Sequence, residues 1–490
     1  MTRDRWGAPQ WFGVGLCLLA WALRLFPFFE SPLHPDEALY GYWGLLVGGG
    51  RDPWLIRPAV YKPPFLPYLI AVLQLVLGRA AFVPRIPGLM AGVAAVPLVG
   101  ALARGLYRDV WTGVSAAAAL TVFPFAVAFS GSAFPDSLMV TLGLAACAAA
   151  ARQRGDWTGL LVGTSFATKQ TGLVWLPAAV GILLATSRDR AGALRALLLG
   201  FAVPTAVTFA WDGLRVVQGG HSFWSVGVVG YGGLRLIWPH EVWPRLRTWL
   251  ELAASLLDSP AMVTVLVLGG AVLFGEGLMR RRRTRDGFSD VLLTVFCVTY
   301  VCLHWLIAFP TWRRYLLPVI PPAAVLLGRF ARRVGTSMAP DQGLPGRGAL
   351  AAMVLVVVLL VPAVEASAGW SSGAEDRSVY AGVDEVTRFL SNLDEGSVVY
   401  HHWLGWHYHY ALFDAPVYLA YWPTPAWLAR DVQVFGSRDP RYVAFPPWES
   451  SDRVRAVLTE VGYRLEPVLA SAGEGERPFI VYHITACEAE

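Results

Sequence analysis

The chain has 490 residues, of which 55% are hydrophobic and only 15% charged, whereas a soluble chain carries about 25% charged residues. This composition excludes an ordinary soluble protein and predicts a membrane protein. The net charge of +5 does not indicate nucleic-acid binding, because many arginines lie in short clusters between apolar runs and no soluble basic patch is present. Four of the five cysteines lie in apolar runs and no CxxC pair occurs, so the sequence supports neither a disulfide framework nor a zinc knuckle.

Apolar runs recur along the first three quarters of the chain, and several reach the roughly 20 residues that a membrane-spanning helix needs. The first run resembles a signal peptide, but it contains Arg24 and lacks a small-residue cleavage site, so we expect a span. Nine clear spans are predicted at Trp11–Phe29, Pro84–Gly105, Val110–Ser130, Phe134–Ala151, Ala193–Trp211, Pro260–Met279, Val291–Ala308, Tyr315–Phe330 and Gly348–Ser367.

Two further apolar stretches are ambiguous. Pro64–Leu77 is apolar for 14 residues, a length that favours an interfacial or re-entrant helix. Trp157–Thr186 is interrupted at Lys169 and is flanked by arginines at both ends, so it crosses an even number of times. It predicts two short helices that meet near Lys169, on the outer side of the membrane.

The arginine clusters set the predicted topology, because positive charge is enriched in cytoplasmic loops. If the N terminus is inside and the ambiguous 14-residue helix does not cross, the clusters around Arg104, Arg152 and Arg280–Arg283 all lie inside, while Arg79 and Arg85 lie outside. The sequence thus predicts a multi-pass protein of the cell membrane with about eleven spans and a cytoplasmic N terminus. We expect residues 1–368 to form the transmembrane domain and residues 369–490 a small extracytoplasmic domain.

The loop after the first span contains Asp36 and Glu37 in the segment His34–Tyr40. Proline followed by two acids is typical of a helix start, which is the simpler interpretation. The functional alternative is a general base, because a carboxylate at the membrane edge can deprotonate an acceptor hydroxyl or amine.

Both lysines of the chain are candidate ligands for a lipid phosphate. Of 40 lysines and arginines, only Lys62 and Lys169 are lysines, and both adjoin apolar runs on the predicted outer side. Each is compatible with a cation that simply reaches the membrane interface. The alternative is a compact positive charge that binds a carrier phosphate and stabilises it as the leaving group.

Two more outer segments carry candidate site residues. Asp136 opens a span, where it could cap the helix, position an acceptor or share a metal ion. Arg313 and Arg314 lie at the head of another span, on the side where positive charge is not expected. A planar guanidinium suits bidentate phosphate binding. Acids and cations gathered at one face of a membrane predict a functional site.

These segments resemble, in order, motifs of the GT-C glycosyltransferases, specifically the group with protein O-mannosyltransferases and the aminoarabinose transferase of lipid A. The similarity covers roughly the first 320 residues. It rests on Asp36-Glu37-Ala38-x-Tyr40, Tyr61-Lys62-Pro63-Pro64, Asp136, Thr168-Lys169 followed by Gly172, and Arg314-Tyr315-Leu316-Leu317-Pro318.

The resemblance implies the GT-C fold, a polyprenyl-phosphate sugar as donor, inversion at the anomeric carbon and a cavity open to the outer leaflet. It makes Asp36 the candidate base and gives Asp136 a role with the acceptor, and Glu37 is a further candidate catalytic residue. Gln170 and Thr171 separate Lys169 from the glycine that usually follows it, a departure from the family pattern. The carrier phosphate would be bound by Lys62, Lys169, Arg313 and Arg314, and the sugar or acceptor by Tyr40, Tyr61 and Tyr315.

No cofactor is assigned from the sequence. Some relatives hold a divalent metal and others do not, and the ligand pattern of this chain is incomplete, so a metal stays open. The expected partners are the bilayer, the polyprenyl-phosphate sugar and a lipid, glycan or protein acceptor.

The C-terminal part alternates between helix and strand patterns and predicts a small α/β domain. His407 and His409 would share a face if their segment were extended, as metal ligands can, and we expect them to contact sugar or acceptor. The outer loop Asp212–Leu250, with His221, Tyr231, His240 and Glu241, could close over the same cavity. The predicted helices are Val383–Leu393, Pro425–Val434 and Asp452–Val461, and the strands Ser397–His401, Tyr442–Phe445, Tyr463–Val468 and Phe479–Ile484.

Two other functions remain open from the residues alone. A transporter or flippase of lipid-linked sugars is also polytopic and carries membrane charges, but it typically places them near the midplane of repeated halves. A non-catalytic assembly subunit could keep the fold, although the intact set of Asp36, Lys62 and Arg314 argues against it. The favoured interpretation is a glycosyltransferase, transferring a hexose or a pentose.

Overall fold

A computed structural model describes residues 7–30, 32–230, 235–280, 285–337, 346–369, 377–436, 438–471 and 478–487. The chain divides into two compact units. The first comprises Met1–Phe29, Gly50–Leu69 and Phe82–Glu375, and the second Glu30–Gly49, Ile70–Ala81 and Asp376–Glu490. The predicted domain boundary after residue 368 stays a prediction.

The part of the chain before the C-terminal domain is helical. Short 3-10 segments at Val83–Arg85, Gln170–Val174, Pro239–Glu241, Ser255–Leu257 and Arg313–Val319 separate or precede some of the helices. The helices are α1 Ala8–Glu30, α2 Pro35–Gly48, α3 Phe65–Leu77, α4 Ile86–Tyr107, α5 Val110–Thr121, α6 Pro124–Ser130, α7 Pro135–Ala151, α8 Gly155–Thr168, α9 Trp175–Thr186, α10 Arg190–Val217, α11 Phe223–Gly230, α12 Val242–Ala254, α13 Pro260–Arg280, α14 Arg285–Leu306, α15 Ile320–Ser337 and α16 Gly346–Ser367.

Six helices in the described ranges are long and apolar enough to cross a membrane, or seven if α5 and α6 form one broken span. The shorter apolar helices include α3, with 13 residues, and α7, with 17. The predicted count of eleven spans stays a prediction, whereas a polytopic helical architecture is confirmed.

The predicted span Val110–Ser130 consists of two helices, α5 and α6, separated by a bend. The chain bends by 60° between α5 and α6, because Phe123 precedes Pro124 and takes an extended conformation. Arg24 of α1, fully buried, donates to the carbonyl groups of Leu120 and Thr121, each at 3.0 Å. The guanidinium thereby satisfies carbonyls at the end of α5 that water cannot reach inside a membrane.

The break at Lys169 is confirmed. Helix α8 ends at Thr168, Lys169 is extended with φ −155° and ψ 138°, and a 3-10 turn leads into α9. Gly172 of that turn lies against α8, where a Cβ would overlap the backbone of Ser165. The turn can therefore fold back only because this position has no side chain.

Close packing of α8 against α10 depends on a glycine stripe. Gly155, Gly159 and Gly163 recur every fourth residue, and a Cβ on Gly159 would overlap the carbonyl oxygen of Leu197 on α10. Small residues at this spacing let membrane helices approach closely, which compensates for the weak hydrophobic driving force inside a bilayer.

The C-terminal domain contains a five-stranded mixed sheet of order β2-β1-β3-β5-β4. Strand β1 pairs in parallel with β2 and β3, and β5 pairs antiparallel with β3 and β4. The predicted α/β pattern is confirmed, but one helix and one strand, α18 and β2, were missed. The elements are α17 Val383–Ser391, β1 Val398–His401, α18 Gly405–Ala411, β2 Tyr418–Tyr421, α19 Pro425–Phe435, β3 Arg441–Phe445, α20 Asp452–Glu460, β4 Tyr463–Ala470 and β5 Ile480–Ala486, with a 3-10 turn at Ser378–Tyr380.

Alternate residues of β1 face two separate helix layers. Val399 packs with Leu390 of α17 and Tyr408 of α18, whereas Tyr400 packs with residues of α19 and α20 such as Leu428 and Leu458. Because successive strand side chains point to opposite faces, helices cover both faces of the sheet.

Candidate functional site

The predicted acidic pair lies at the start of α2, in the second unit. His34 is the N-cap, its Nδ1 accepts from Asp36 N at 3.1 Å, and its own backbone N donates to Glu37 Oε2 at 2.9 Å. This capping box satisfies two of the free amides at the helix start. The simpler prediction, a helix start, is therefore confirmed for this segment.

The two acids have different environments. Glu37 is fully buried and also pairs with Arg377 at 3.3 Å, so its carboxylate is held by a cap and an ion pair. Asp36 is only partly buried. Tyr40, one turn further on, is 2% exposed and packs edge-on against Trp43. Of the two acids, Asp36 has the carboxylate with access to solvent.

A buried ion pair joins Asp136 to Lys169 in the first unit. Lys169 Nζ lies 2.5 Å from Asp136 Oδ1, and the two side chains are 4% and 2% exposed. The N-cap of α7 is Phe134, which has no side-chain cap. The prediction that Asp136 caps the helix is therefore wrong: its carboxylate compensates a buried ammonium.

Aromatic rings surround the cations of this region. Lys169 Nζ lies 4.5 Å from the ring centre of Tyr315, and Lys62 Nζ lies 4.9 Å from that of Tyr61. The Arg314 guanidinium lies 4.5 Å from the rings of both Phe134 and Trp312. Such contacts hold a cation in place without neutralising its charge.

Both lysines line one cavity of about 190 Å³, here called the lysine cavity. Lys62 is 5% exposed and Lys169 3%. A water molecule takes about 30 Å³ in the liquid, so the volume admits a phosphate group or a sugar ring. The other lining residues are Gln170, Thr171, Trp224, Gly227, Val228, His304, Phe309 and Tyr315.

Sequence reasoning missed His304 and Gln170 as residues of this cavity. His304 Nδ1 lies 3.0 Å from Tyr300 O, and a carbonyl can only accept, so Nδ1 carries the proton and Nε2 is the acceptor of the neutral ring. Gln170 Nε2 donates to Tyr61 O at 2.7 Å and ties the two lysine-bearing segments together. A histidine inside an apolar helix was the only sequence signal.

Part of the loop Asp212–Leu250 lines the lysine cavity, as the sequence suggested. Helix α11 supplies three of its residues, and a Cβ on Gly227 would lie 3.4 Å from both Gln170 Nε2 and Tyr61 O. His221, His240 and Glu241 do not line the cavity, and Tyr231 lies outside the described residues.

His407 and His409 lie in a helix, α18, so the extended segment in which they would share a face is not present here. Residues two apart on a helix point in nearly opposite directions. His407 is buried, donates through Nε2 to Leu33 O at 2.9 Å, and burial lowers its pKa to about 4. His409 stacks on Tyr42 at 5.0 Å. Within the described ranges, no group of three His, Cys, Asp or Glu residues could hold a metal ion.

The predicted site residues thus fall into two groups. The first unit brings together Lys62, Asp136, Lys169 and Tyr315, with Arg313 and Arg314 preceding Tyr315 in the same 3-10 segment. The second unit contains Asp36, Glu37, Tyr40, His407 and His409.

Comparison with known proteins supports the resemblance predicted from these residues. Residues 61–211 match the dolichyl-phosphate-mannose-protein mannosyltransferase family. ArnT from Cupriavidus metallidurans, solved bound to undecaprenyl phosphate, superposes with a TM-score of 0.63 at 15% identity over 97% of this chain and 98% of that one. The chain has the GT-C fold.

The apo structure of the same ArnT shows the same fold, with a TM-score of 0.59 at 16% identity over 96% of this chain and 97% of that one. No curated protein matches the chain. The segment that matches the mannosyltransferase family contains Lys62, Asp136 and Lys169. The matched segment thus includes both lysines of the lysine cavity.

Proposed function

We propose that this protein is an inverting glycosyltransferase that moves a sugar from a polyprenyl-phosphate carrier to an acceptor at the outer face of the membrane. The observation that supports this most directly is the position of the lysines. Only two of the 40 lysines and arginines are lysines, they are 107 positions apart, and both line one cavity. Lys62 adds a positive charge to the cavity wall beside the Lys169–Asp136 ion pair, and a charge in a low-dielectric wall attracts an anion strongly.

The carrier phosphate is the anion that we place in the lysine cavity. As the bond from the sugar C1 to the phosphate oxygen breaks, negative charge develops on that oxygen, and Lys62 and Lys169 stabilise it. Asp136 holds Lys169 in position through their ion pair. Arg314, adjacent to the cavity residue Tyr315, adds a guanidinium that can bind phosphate in bidentate geometry.

Asp36 is the proposed general base. The acceptor hydroxyl or amine attacks C1 from the side opposite the phosphate, so a single displacement inverts the anomeric configuration. Its proton goes to the Asp36 carboxylate, and polyprenyl phosphate leaves. Glu37, buried and bonded to His34 N and near Arg377, orients the start of α2 and thus Asp36.

The donor class follows from two independent similarities. The mannosyltransferase family that matches residues 61–211 is named for a dolichyl-phosphate sugar, and the ArnT structure contains undecaprenyl phosphate. Both carriers are polyprenyl phosphates, which favours a polyprenyl-phosphate-linked sugar here. The acceptor is a lipid, a glycan or a protein.

Binding of undecaprenyl phosphate to the purified full chain tests this proposal. Lys62→Met removes the charge but keeps the apolar stem, and we expect its Kd to rise about 10- to 100-fold, since a charged hydrogen bond contributes about 1.5–3 kcal/mol. Arg57→Met, at an exposed position of the same loop, is the matched control. An unchanged Kd for Lys62→Met would contradict the proposal.

A labelled donor separates transfer from transport. In membranes of the source cell we expect the label to appear in a new product together with free polyprenyl phosphate. Movement of the intact donor between leaflets, without any new labelled product, would instead establish a flippase.

A further inference from the structure

A second and larger cavity, of about 740 Å³, lies among α1, α4, α5, α7 and α14 of the first unit. Four arginines from three parts of the chain line it: Arg104, Arg108, Arg152 and Arg285. We call it the arginine cavity.

The arginine cavity lies at the opposite end of α7 from the lysine cavity. Arg152 directly follows the last residue of α7, whereas Asp136, near its first residue, pairs with Lys169. Helix α7 has 17 residues and is therefore about 25 Å long, close to the roughly 30 Å thickness of a bilayer core. The two cavities thus lie near the two faces of the membrane, and the arginine pattern places this one on the cytoplasmic side.

None of the four arginines has a carboxylate partner in the described ranges, because the acids next to them are bound elsewhere. Asp109, adjacent to Arg108, pairs with Arg332 at 3.2 Å. Asp286, adjacent to Arg285, pairs with Arg329 at 2.8 Å.

The third nearby acid, Asp156, pairs with Arg154 at 3.1 Å and not with Arg152. The C-terminal ends of α4 and α7 each contribute about half a negative charge. These helix ends offset only part of the four positive charges, so the rim of the cavity is cationic.

One of the four guanidinium groups is fixed in place. Arg285 Nη2 donates to Gly105 O at 2.9 Å, at the end of α4. Arg285 Nε is buried and has no hydrogen-bond partner within the described ranges. A fixed guanidinium with a remaining donor is a ready ligand for an oxyanion.

The floor of the arginine cavity is made of small and apolar residues. Leu16, Pro97, Val114 and Ala117 line it, and a Cβ on Gly13 would meet no other atom within 4 Å. An apolar floor under a cationic rim matches an amphiphile, with an anionic group at the rim and a hydrocarbon part below.

We propose that the arginine cavity binds the phosphate headgroup of an anionic membrane lipid from the cytoplasmic leaflet. Basic pockets between membrane helices on that side recognise phosphate headgroups, and arginine binds phosphate in bidentate geometry. The cavity shares no lining residue with the lysine cavity, so this site is separate from the proposed donor site.

Native mass spectrometry of the full chain from phosphatidylcholine nanodiscs that contain phosphatidylglycerol tests this site. We expect wild type to retain phosphatidylglycerol selectively. The double variant Arg104→Gln/Arg152→Gln removes two exposed charges that have no partner in the described fold. At about fivefold per arginine, retention should fall about 25-fold. Arg188→Gln/Arg190→Gln loses the same charge at exposed positions outside the cavity and should retain the lipid.

A neutral variant separates the cavity from general surface attraction. Gly13→Phe extends a side chain into open space without changing any charge, and it should also reduce retention, while thermal unfolding stays that of wild type. Equal retention in Arg104→Gln/Arg152→Gln and its control would overturn the proposal. Displacement of the lipid by an equal concentration of inorganic phosphate would overturn the lipid assignment and establish a general phosphate site.

Discussion

Lys169 and Asp136 form an ion pair of 2.5 Å in which both side chains are almost completely buried. Asp136 lies in the first turn of α7 and Lys169 directly follows α8, and Lys169 also lies over the ring of Tyr315. A buried charge without its partner is strongly destabilising. The stability of the first unit therefore depends on both charges of this pair, one of which, Lys169, lines the lysine cavity.

Removing one partner of this pair should destabilise the protein. Asp136→Asn leaves the Lys169 charge uncompensated and should cost about 3–5 kcal/mol, measured as a lower midpoint of thermal unfolding in detergent. Asp136→Asn combined with Lys169→Met should recover much of that loss. As a control, Asp156→Asn, which removes an exposed pair, should leave the midpoint unchanged. Equal effects of Asp136→Asn and Asp156→Asn would contradict the prediction.

Asp36→Asn should reduce sugar transfer in membranes about 10²- to 10⁴-fold, because a general base contributes that much to a rate. Binding of undecaprenyl phosphate should be unchanged, since the proposed phosphate ligands are untouched. Transfer is measured with a labelled donor in source-cell membranes. Full activity of the Asp36→Asn variant would show that Asp36 is not the general base.

Glu37→Gln should act differently from Asp36→Asn. Glu37 is fully buried and bonded to His34 N, and it pairs with Arg377, so its neutralisation removes one buried ion pair. We expect a lower thermal midpoint with any remaining folded protein still active. A normal midpoint together with abolished transfer would instead make Glu37 a catalytic acid.

The stability of the second unit should decrease in mild acid. Burial lowers the pKa of His407 to about 4 and that of His401 to about 4, while an unfolded histidine titrates near 6.5. The unfolded state therefore binds more protons between these values, and the free energy of unfolding falls as the pH drops from about 6.5 to about 4.

His407→Gln keeps a donor for Leu33 O but cannot titrate. The fall in the free energy of unfolding between about pH 6.5 and about pH 4 should therefore be smaller in this variant, by up to about 3 kcal/mol. Unfolding midpoints measured across that pH range check it. The exposed His221→Gln serves as the control. A His407→Gln profile as steep as that of wild type would exclude His407 as the titrating group.

Gly159→Ala should destabilise the packing of α8 against α10. The added Cβ overlaps the carbonyl of Leu197, and overpacking typically costs about 1–3 kcal/mol. Gly15→Ala on α1, where a Cβ meets no atom within 4 Å, should be neutral or slightly stabilising because alanine favours a helix. Thermal midpoints of the two variants distinguish local crowding from a general effect of glycine replacement.

Most helices and the α/β pattern could be predicted because their signals are local. Apolar length marks the long helices, and Lys169-Gln170-Thr171-Gly172 marks the break between α8 and α9. Prediction did not anticipate the bend that a single proline, Pro124, sets within the span Val110–Ser130, and it missed α18 and β2. Helix α18 has seven residues rich in histidine and tyrosine, too short for a periodic pattern.

Composition and short motifs were sufficient to predict a polytopic helical membrane protein with a GT-C resemblance, since hydrophobic length, helix breakers and motif order are properties of neighbouring residues. They could not show that Lys62 and Lys169 line one cavity with Tyr315, that Lys169 takes Asp136 as its partner, or that four arginines surround a second cavity. These arrangements join positions up to 253 residues apart, as from Lys62 to Tyr315. They depend on how helices pack, and packing is decided by shape complementarity and charge compensation between segments that are distant in the sequence.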